Sequence, residues 1–258
     1  MNFLAQTWVA VWLEGLGRIT LLARDAISSV VRQKVGWKDV LYQMHFMGVK
    51  SQPVVLVTGA FTGMVLCAQT FFQFHKVRMD SATLAVVSVT MCSELGPVLT
   101  GLMVAGRVGA AIAAEIGTMR VTEQVDALRT VATHPVDYLV VPRLLAAHIV
   151  LPFLTVEAIA LGIAAGYGVG IALGMDPTYS WHNMIKYTGS TDVLIGVIKS
   201  FIFGGIVALV GCYKGLYCGE GAEGVGKATT ESVVYSSITI LIANFFLTLS
   251  LGKLLNSL

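Results

Sequence analysis

Charge is scarce in this sequence. Asp, Glu, Lys and Arg make up 12% of its 258 residues, against roughly 25% in an ordinary soluble domain. With 55% of the chain hydrophobic, that scarcity excludes a water-soluble globule and points to the bilayer. Basic clusters are missing as well. The formal net charge is +2, and no run of Lys and Arg offers a surface that could track phosphates, which excludes a nucleic-acid partner. The four cysteines form no CxxC, and Cys67 and Cys92, set in apolar runs, read as small core residues. The five histidines are scattered, there is no HExxH, and no serine stands in GxSxG. No catalytic set and no metal-ligand set follows. The N-terminus lacks an apolar core with a small-residue cleavage site, because Glu14 and Arg18 interrupt it, so the chain is expected to carry no cleaved leader.

One glycine-rich stretch imitates a nucleotide site. Gly219-x-Gly221-x-x-Gly224 fits a dinucleotide fingerprint, and Gly221 to Gly226-Lys227 fits a phosphate loop until Ala228, where Ser or Thr should stand. Both motifs need a strand before them and a helix after them in an α/β sheet. Here apolar spans flank them, so any ATP and Mg are expected on another protein and no cofactor on this one.

What is present is a series of apolar helices. Residues 1–50 read as an amphipathic interfacial region. At 100° per residue Glu14, Arg18, Asp25 and Arg32 fall within about 40° of one another. Leu4, Trp8, Ile19, Leu22, Ala26 and Val30 take the other side. Rest in the headgroup plane and packing on the protein itself both fit this pattern. Residues 51–258 then supply five spans. The first is Ser51 to Phe74, with Pro53 suited to a helix start. The second begins near Ala82, the third runs Leu144–Met175, the fourth starts at Val193, and the fifth covers Ser232–Gly252. Asp176-Pro177 opens a short loop helix whose Trp181 and Tyr187 suit an interface. The fold class is therefore an all-α integral membrane protein, with an N-terminal amphipathic helix, five transmembrane helices and a cytoplasmic coupling helix between spans two and three.

Basic residues set the orientation. With the N-terminus cytoplasmic, eleven Lys and Arg lie inside and four (Lys76, Arg78, Lys186 and Lys253) lie outside. This satisfies the positive-inside rule and leaves residues 120–143 cytoplasmic and the C-terminus outside. Small residues recur at four-residue spacing in Gly59/Gly63, Ala105/Gly109, Ala110/Ala114 and Gly162/Gly166/Gly170/Gly174. Such spacing suits close helix packing, within one chain or between copies.

The buried ionisable groups carry the most information. Glu94, Arg107, Glu157 and Lys199 interrupt apolar spans, where an unpaired charge costs about 2.5–3.5 kcal/mol or more. Gly96-Pro97 should bend the helix after Glu94 and free a carbonyl. Glu94, Lys199 and Asn244 are expected to line one polar spot, with Gln69 nearby; a purely structural ion pair is the competing reading. Arg107 and Glu115 should brace against headgroups or each other. Residues 122–133 read as a short amphipathic helix: Thr122 caps it, Glu123 and Asp126 suit its N-terminus, and Val125, Leu128 and Ala132 form an apolar stripe. A helix this short needs a docking surface.

In order and spacing, residues 50–250 resemble the MlaE/YrbE-type permeases of MCE-associated ABC transporters, a family that includes a plastid lipid-importer permease. The likeness is carried by Gly63-Met64-Val65-Leu66 with Gln69, Glu94-Leu95-Gly96-Pro97-Val98, Ala105-Gly106-Arg107 and Ala114 to Arg120. It continues through Thr122-Glu123-Gln124, Pro135, Pro142-Arg143, Lys199-Ser200 and Ala228-Thr229-Thr230. The resemblance implies a bacterial inner-membrane permease working as a homodimer. Cytoplasmic ABC ATPase subunits would engage the helix around Glu123-Gln124 and a periplasmic MCE-domain protein would sit above. It also implies phospholipid as cargo, with Leu66, Gln69, Glu94, Leu95 and Lys199 near an outward-facing pocket, and Thr122, Glu123, Gln124, Asp126 and Leu128 on the ATPase side. Two positions depart from some relatives: Ser93 stands for Arg and Asn244 for Asp, which changes the local charge balance. Two rival readings remain, an ion- or proton-coupled secondary transporter using Glu94 and Lys199, and a membrane scaffold for a periplasmic complex.

Overall fold

The computed structural model describes residues 8–31 and 36–255, with side chains for residues 15, 17–30 and 36–253. Among these, no strand occurs. Ten α-helices run in order: α1 Trp8–Val31, α2 Trp37–Lys76, α3 Thr83–Thr90, α4 Gly96–Val104, α5 Ala110–Val121, α6 Gln124–Thr130, α7 Val141–Ala172, α8 Pro177–Tyr187, α9 Ser190–Leu216 and α10 Gly221–Leu255. Three π-helical turns join them, at Met91–Leu95, Ala105–Gly109 and Val136–Val140. Such turns often mark functional sites.

Five segments are long and apolar enough to cross a membrane: Trp37–Lys76, Asp80–Val121, Val136–Ala172, Ser190–Leu216 and Gly221–Lys253. This is the expected number of spans, and the protein is an all-α, multi-pass membrane protein. Several boundaries differ from the sequence reading. Pro53 is interior to α2 rather than at its start; Pro152 sits inside α7, within the third span as its place in Leu144–Met175 implies. Transmembrane helices tolerate such prolines because neighbours re-satisfy the freed backbone groups. The glycine-rich stretch from Gly221 is the first turns of α10, not a loop. Gly224, Gly226 and Lys227 are therefore helical, Gly221 opens the helix at φ +69°, and no strand precedes it among the described residues.

The chain gathers into two compact units. One comprises Met1–Met44, Ala105–Ala147 and Gly205–Ser236; the other comprises His45–Val104, His148–Gly204 and Ser237–Leu258. In the first unit the expected sidedness of α1 appears where it can be seen. Leu22 and Ala26 are buried, while Arg18 and Asp25 are exposed. Ser29 donates a hydrogen bond to Asp137, so this helix packs on the protein itself. Leu4 and the side chains of Trp8, Glu14 and Arg32 lie outside the described residues. Glu115 pairs with the buried Arg143 at 2.9 Å, and Arg143 also donates to the Leu139 carbonyl at 2.6 Å. Ser232 donates to the Gly109 carbonyl at 3.1 Å.

The second unit is held by apolar packing and by near contact of backbones. Cys67, Phe71, Leu84, Val87, Met91, Met175 and Met184 form a buried cluster. A Cβ on Gly63 would fall inside the backbone of Gly162, and one on Gly59 would stand 2.8 Å from the Ala158 carbonyl oxygen. These small-residue positions thus pack α2 on α7 within one chain. Gly174 acts through its backbone instead, since its φ of +93° ends α7 in a conformation L side chains rarely adopt. Asp176 accepts from the Tyr179 N–H at 2.8 Å and caps α8, where Trp181 and Tyr187 are exposed as expected.

Candidate functional site

The second unit contains a polar nest in apolar surroundings. Its centre is Lys199 on α9, whose side chain is 0% exposed. The Lys199 Nζ lies 2.7 Å from Glu94 Oε1, and it donates to the Ser93 carbonyl and to Thr248 Oγ1, both at 2.9 Å. Asn244 Nδ2 donates to Glu94 Oε2 at 3.1 Å. Thr248 Oγ1 lies 3.0 Å from Glu94 Oε1 and 2.9 Å from the Asn244 carbonyl.

Local sequence explains why these groups meet. In an α-helix the Ser93 carbonyl would accept from the N–H of residue 97, and Pro97 has none. Lys199 supplies a donor to that carbonyl. The backbone also leaves α-helical register at Met91–Leu95, immediately before Gly96-Pro97. A neighbouring hydrogen bond, Ser93 Oγ to Asp192 Oδ1 at 3.3 Å, ties the same turn to the start of α9. The freed carbonyl was therefore legible from Pro97, but its partner was not.

The predicted residues divide at this point. Glu94, Lys199 and Asn244 are brought together. Leu66 and Leu95 are half-buried and pack against the Cys67–Met184 cluster. Gln69 lies exposed on α2 and, among the described residues, takes no part in the nest. Thr248 and Ser93 were missed as nest members. The only sequence signal for Thr248 is its place one helical turn after Asn244 in an apolar span. Glu157 is also partnered, accepting from Gln52 Nε2 at 3.1 Å.

In the first unit the predicted coupling segment is shorter than expected. Its helix, α6, covers only Gln124–Thr130. Thr122 does not cap it: the hydroxyl donates back to the Thr118 carbonyl at 2.9 Å, and the cap position is Glu123, in left-handed backbone with φ 59° and no side-chain cap bond. Glu123 and Gln124 are exposed. Of the expected apolar stripe, Val125 is buried and Leu128 half-buried, but Ala132 is exposed and lies past the helix at φ 57°. Asp126 serves two cations rather than the helix N-terminus. It meets Arg120 Nη1 at 2.5 Å and Arg129 Nη1 at 2.9 Å. Glu115 pairs with Arg143, a partner the sequence reading did not foresee.

Comparison with known proteins adds the family context. Residues 40–250 match the family model described as Permease MlaE. The chain is 45% identical over 236 residues to a probable ABC transporter permease protein of Rickettsia felis, covering 91% of each. It is 36% identical to the chloroplastic protein TRIGALACTOSYLDIACYLGLYCEROL 1 of Arabidopsis thaliana, over 89% of this chain and 66% of that one. It is 34% identical to a Haemophilus influenzae protein named intermembrane phospholipid transport system permease protein MlaE, with 92% of each covered.

Proposed function

The chain belongs to the MlaE permease family, and from that premise we propose that it moves phospholipid between the inner and outer membranes of a bacterium. It is the permease subunit of an ABC transporter. In the proposed assembly it forms a homodimer in the inner membrane, N-terminus cytoplasmic and C-terminus periplasmic. Cytoplasmic ATPase subunits bind ATP and Mg, and a periplasmic MCE-domain protein receives or delivers the lipid. The chain itself performs no covalent step.

One observation carries the lipid reading: a fully buried Lys199 ammonium, every donor of it used, holds a Glu94 side chain that is 34% exposed, on spans that are otherwise mostly apolar. An amphipathic ligand suits such a place, because its head can meet the polar nest while its tails lie on apolar surface. We assign Leu66, Gln69, Glu94, Leu95, Lys199 and Asn244 to the surroundings of the lipid. Thr122, Glu123, Gln124, Asp126 and Leu128 belong to the segment the ATPase pushes.

The motion runs from α6 to the second span. ATP-driven closure of the partner shifts α6, and α5 passes the shift through the π turns at Ala105–Gly109 and Met91–Leu95 to the nest. A π turn holds one extra residue and can relax to α register, so it is a place where a helix can change its rotation. Purification with the ATPase subunits, followed by identification of bound lipid, tests the assignment. Leu66→Asn and Leu95→Asn should each lower the lipid recovered per protein. Unchanged occupancy in both would remove the pocket from this position.

A further inference from the structure

The hydrogen-bond inventory of the nest says which headgroup it can accept. An ammonium has three N–H donors and no acceptor. Those of Lys199 go to Glu94, to the Ser93 carbonyl and to Thr248, and the side chain has no exposed surface. Nothing on Lys199 is left to bind a phosphate. Thr248 has one hydroxyl proton, which it gives to Glu94 or to the Asn244 carbonyl. The Asn244 amide is oriented by Glu94, since a carboxylate can only accept, so its nitrogen must face that way. Its Oδ1 is then buried without a partner.

The unfilled capacity of the nest is therefore acceptor oxygen. A carboxylate has about four lone-pair sites. Glu94 has partners in Lys199, Asn244 and Thr248, yet remains partly exposed, whereas Asn244 Oδ1 is unpaired but buried, so Glu94 is the acceptor a headgroup can meet. A phosphate would bring more acceptors and negative charge against this surface. A choline head would bring charge but no N–H. A primary ammonium brings three donors and a charge opposite to that of Glu94.

We propose that the nest selects phospholipids bearing a primary ammonium, with Glu94 meeting the headgroup and Lys199 a positioning residue that acts only by fixing Glu94. The selection rests on the lipid-binding reading given above and deepens it. The Pro97 break, the buried Lys199 and the Asn244 amide act together: the first needs a donor, the second supplies it while holding the carboxylate in place, and the third fixes the other carboxylate oxygen.

The test uses the whole transporter complex, equilibrated with mixed micelles holding equal parts phosphatidylethanolamine, phosphatidylglycerol and phosphatidylcholine. Bound lipid is then extracted and measured by mass spectrometry. Phosphatidylethanolamine should be enriched roughly tenfold over either competitor, about what one hydrogen bond to a charged group provides. Glu94→Gln should abolish the enrichment. Asn244→Leu, which leaves the Lys199 contacts alone, should reduce it by about half or more on the same scale. Lys199→Met should weaken the ammonium preference without reversing it, because Glu94 remains but is no longer held; a switch to preference for phosphatidylglycerol would overturn the selection. Equal binding of the three lipids, or a preference that survives Glu94→Gln, would overturn the selection while leaving a lipid site. Recovery of no lipid of any headgroup would overturn the lipid reading and the selection together.

Discussion

The charged groups of the nest and those around α6 are built oppositely. In the nest, the cation is dry and every donor on it is used. Around α6, the Arg120–Asp126–Arg129 trio has side chains 39–63% exposed. Water screens the second cluster, so each pair there contributes about 0.2–1 kcal/mol. In the nest, loss of Glu94 strands the fully buried Lys199 charge, at about 3–5 kcal/mol. The contrast assigns different roles. The nest holds a fixed geometry, whereas the exposed α6 trio can loosen and reform, as the proposed coupling role requires.

The sharpest way to break that contrast is Glu94→Ala, which strands the buried Lys199. We expect a loss of about 3–5 kcal/mol, read as a large drop in the thermal midpoint of the detergent-solubilised protein. The double variant Glu94→Met/Lys199→Met should recover part of it, since no charge is stranded although the Ser93 carbonyl loses its donor. A Glu94→Ala midpoint equal to that of the parent would mean Lys199 finds water, and the nest is wet. Next in size is Gly63→Ala, which drives a methyl into the Gly162 backbone. Overpacking of this kind costs about 1–3 kcal/mol, and the same thermal measurement should place it below Glu94→Ala.

On the α6 side the expected stability effects are small and the functional ones large. Glu123→Ala/Gln124→Ala should leave the thermal midpoint unchanged and separate ATP hydrolysis from lipid movement in reconstituted vesicles. Normal transport by an assembled double variant would remove α6 from the coupling path. Asp126→Asn is the smallest change. It weakens two exposed pairs and should shift stability by about 0.2–1 kcal/mol, an effect that rising salt diminishes. A salt-insensitive loss of several kcal/mol would show that α6 is clamped as tightly as the nest.

The legibility of these regions follows from what each depends on. Five spans could be read because each needs about twenty apolar residues in a row, a property of the chain alone. Pro97 announced a free carbonyl for the same local reason. Thr248 could not be read, since its role depends on α10 lying beside the turn at Ser93. Pro53 misled because the rule that places proline at helix starts describes water, where a broken bond is exposed. The starts of α6 and α10 misled in opposite directions. Glu123 takes a left-handed conformation that favours glycine, and the glycines from Gly221 form helix where loop was expected.

The amino-acid order by itself determined the all-α membrane architecture, the number of spans and the presence of charges that must find partners, because hydrophobic length and the cost of bare charge are local properties. Only the folded chain decided which partners they found. Lys199 meets Glu94, Ser93 and Thr248 because three distant helices approach closely enough for one ammonium to satisfy them all. Geometry across that distance is written in the packing, not in any single stretch of sequence.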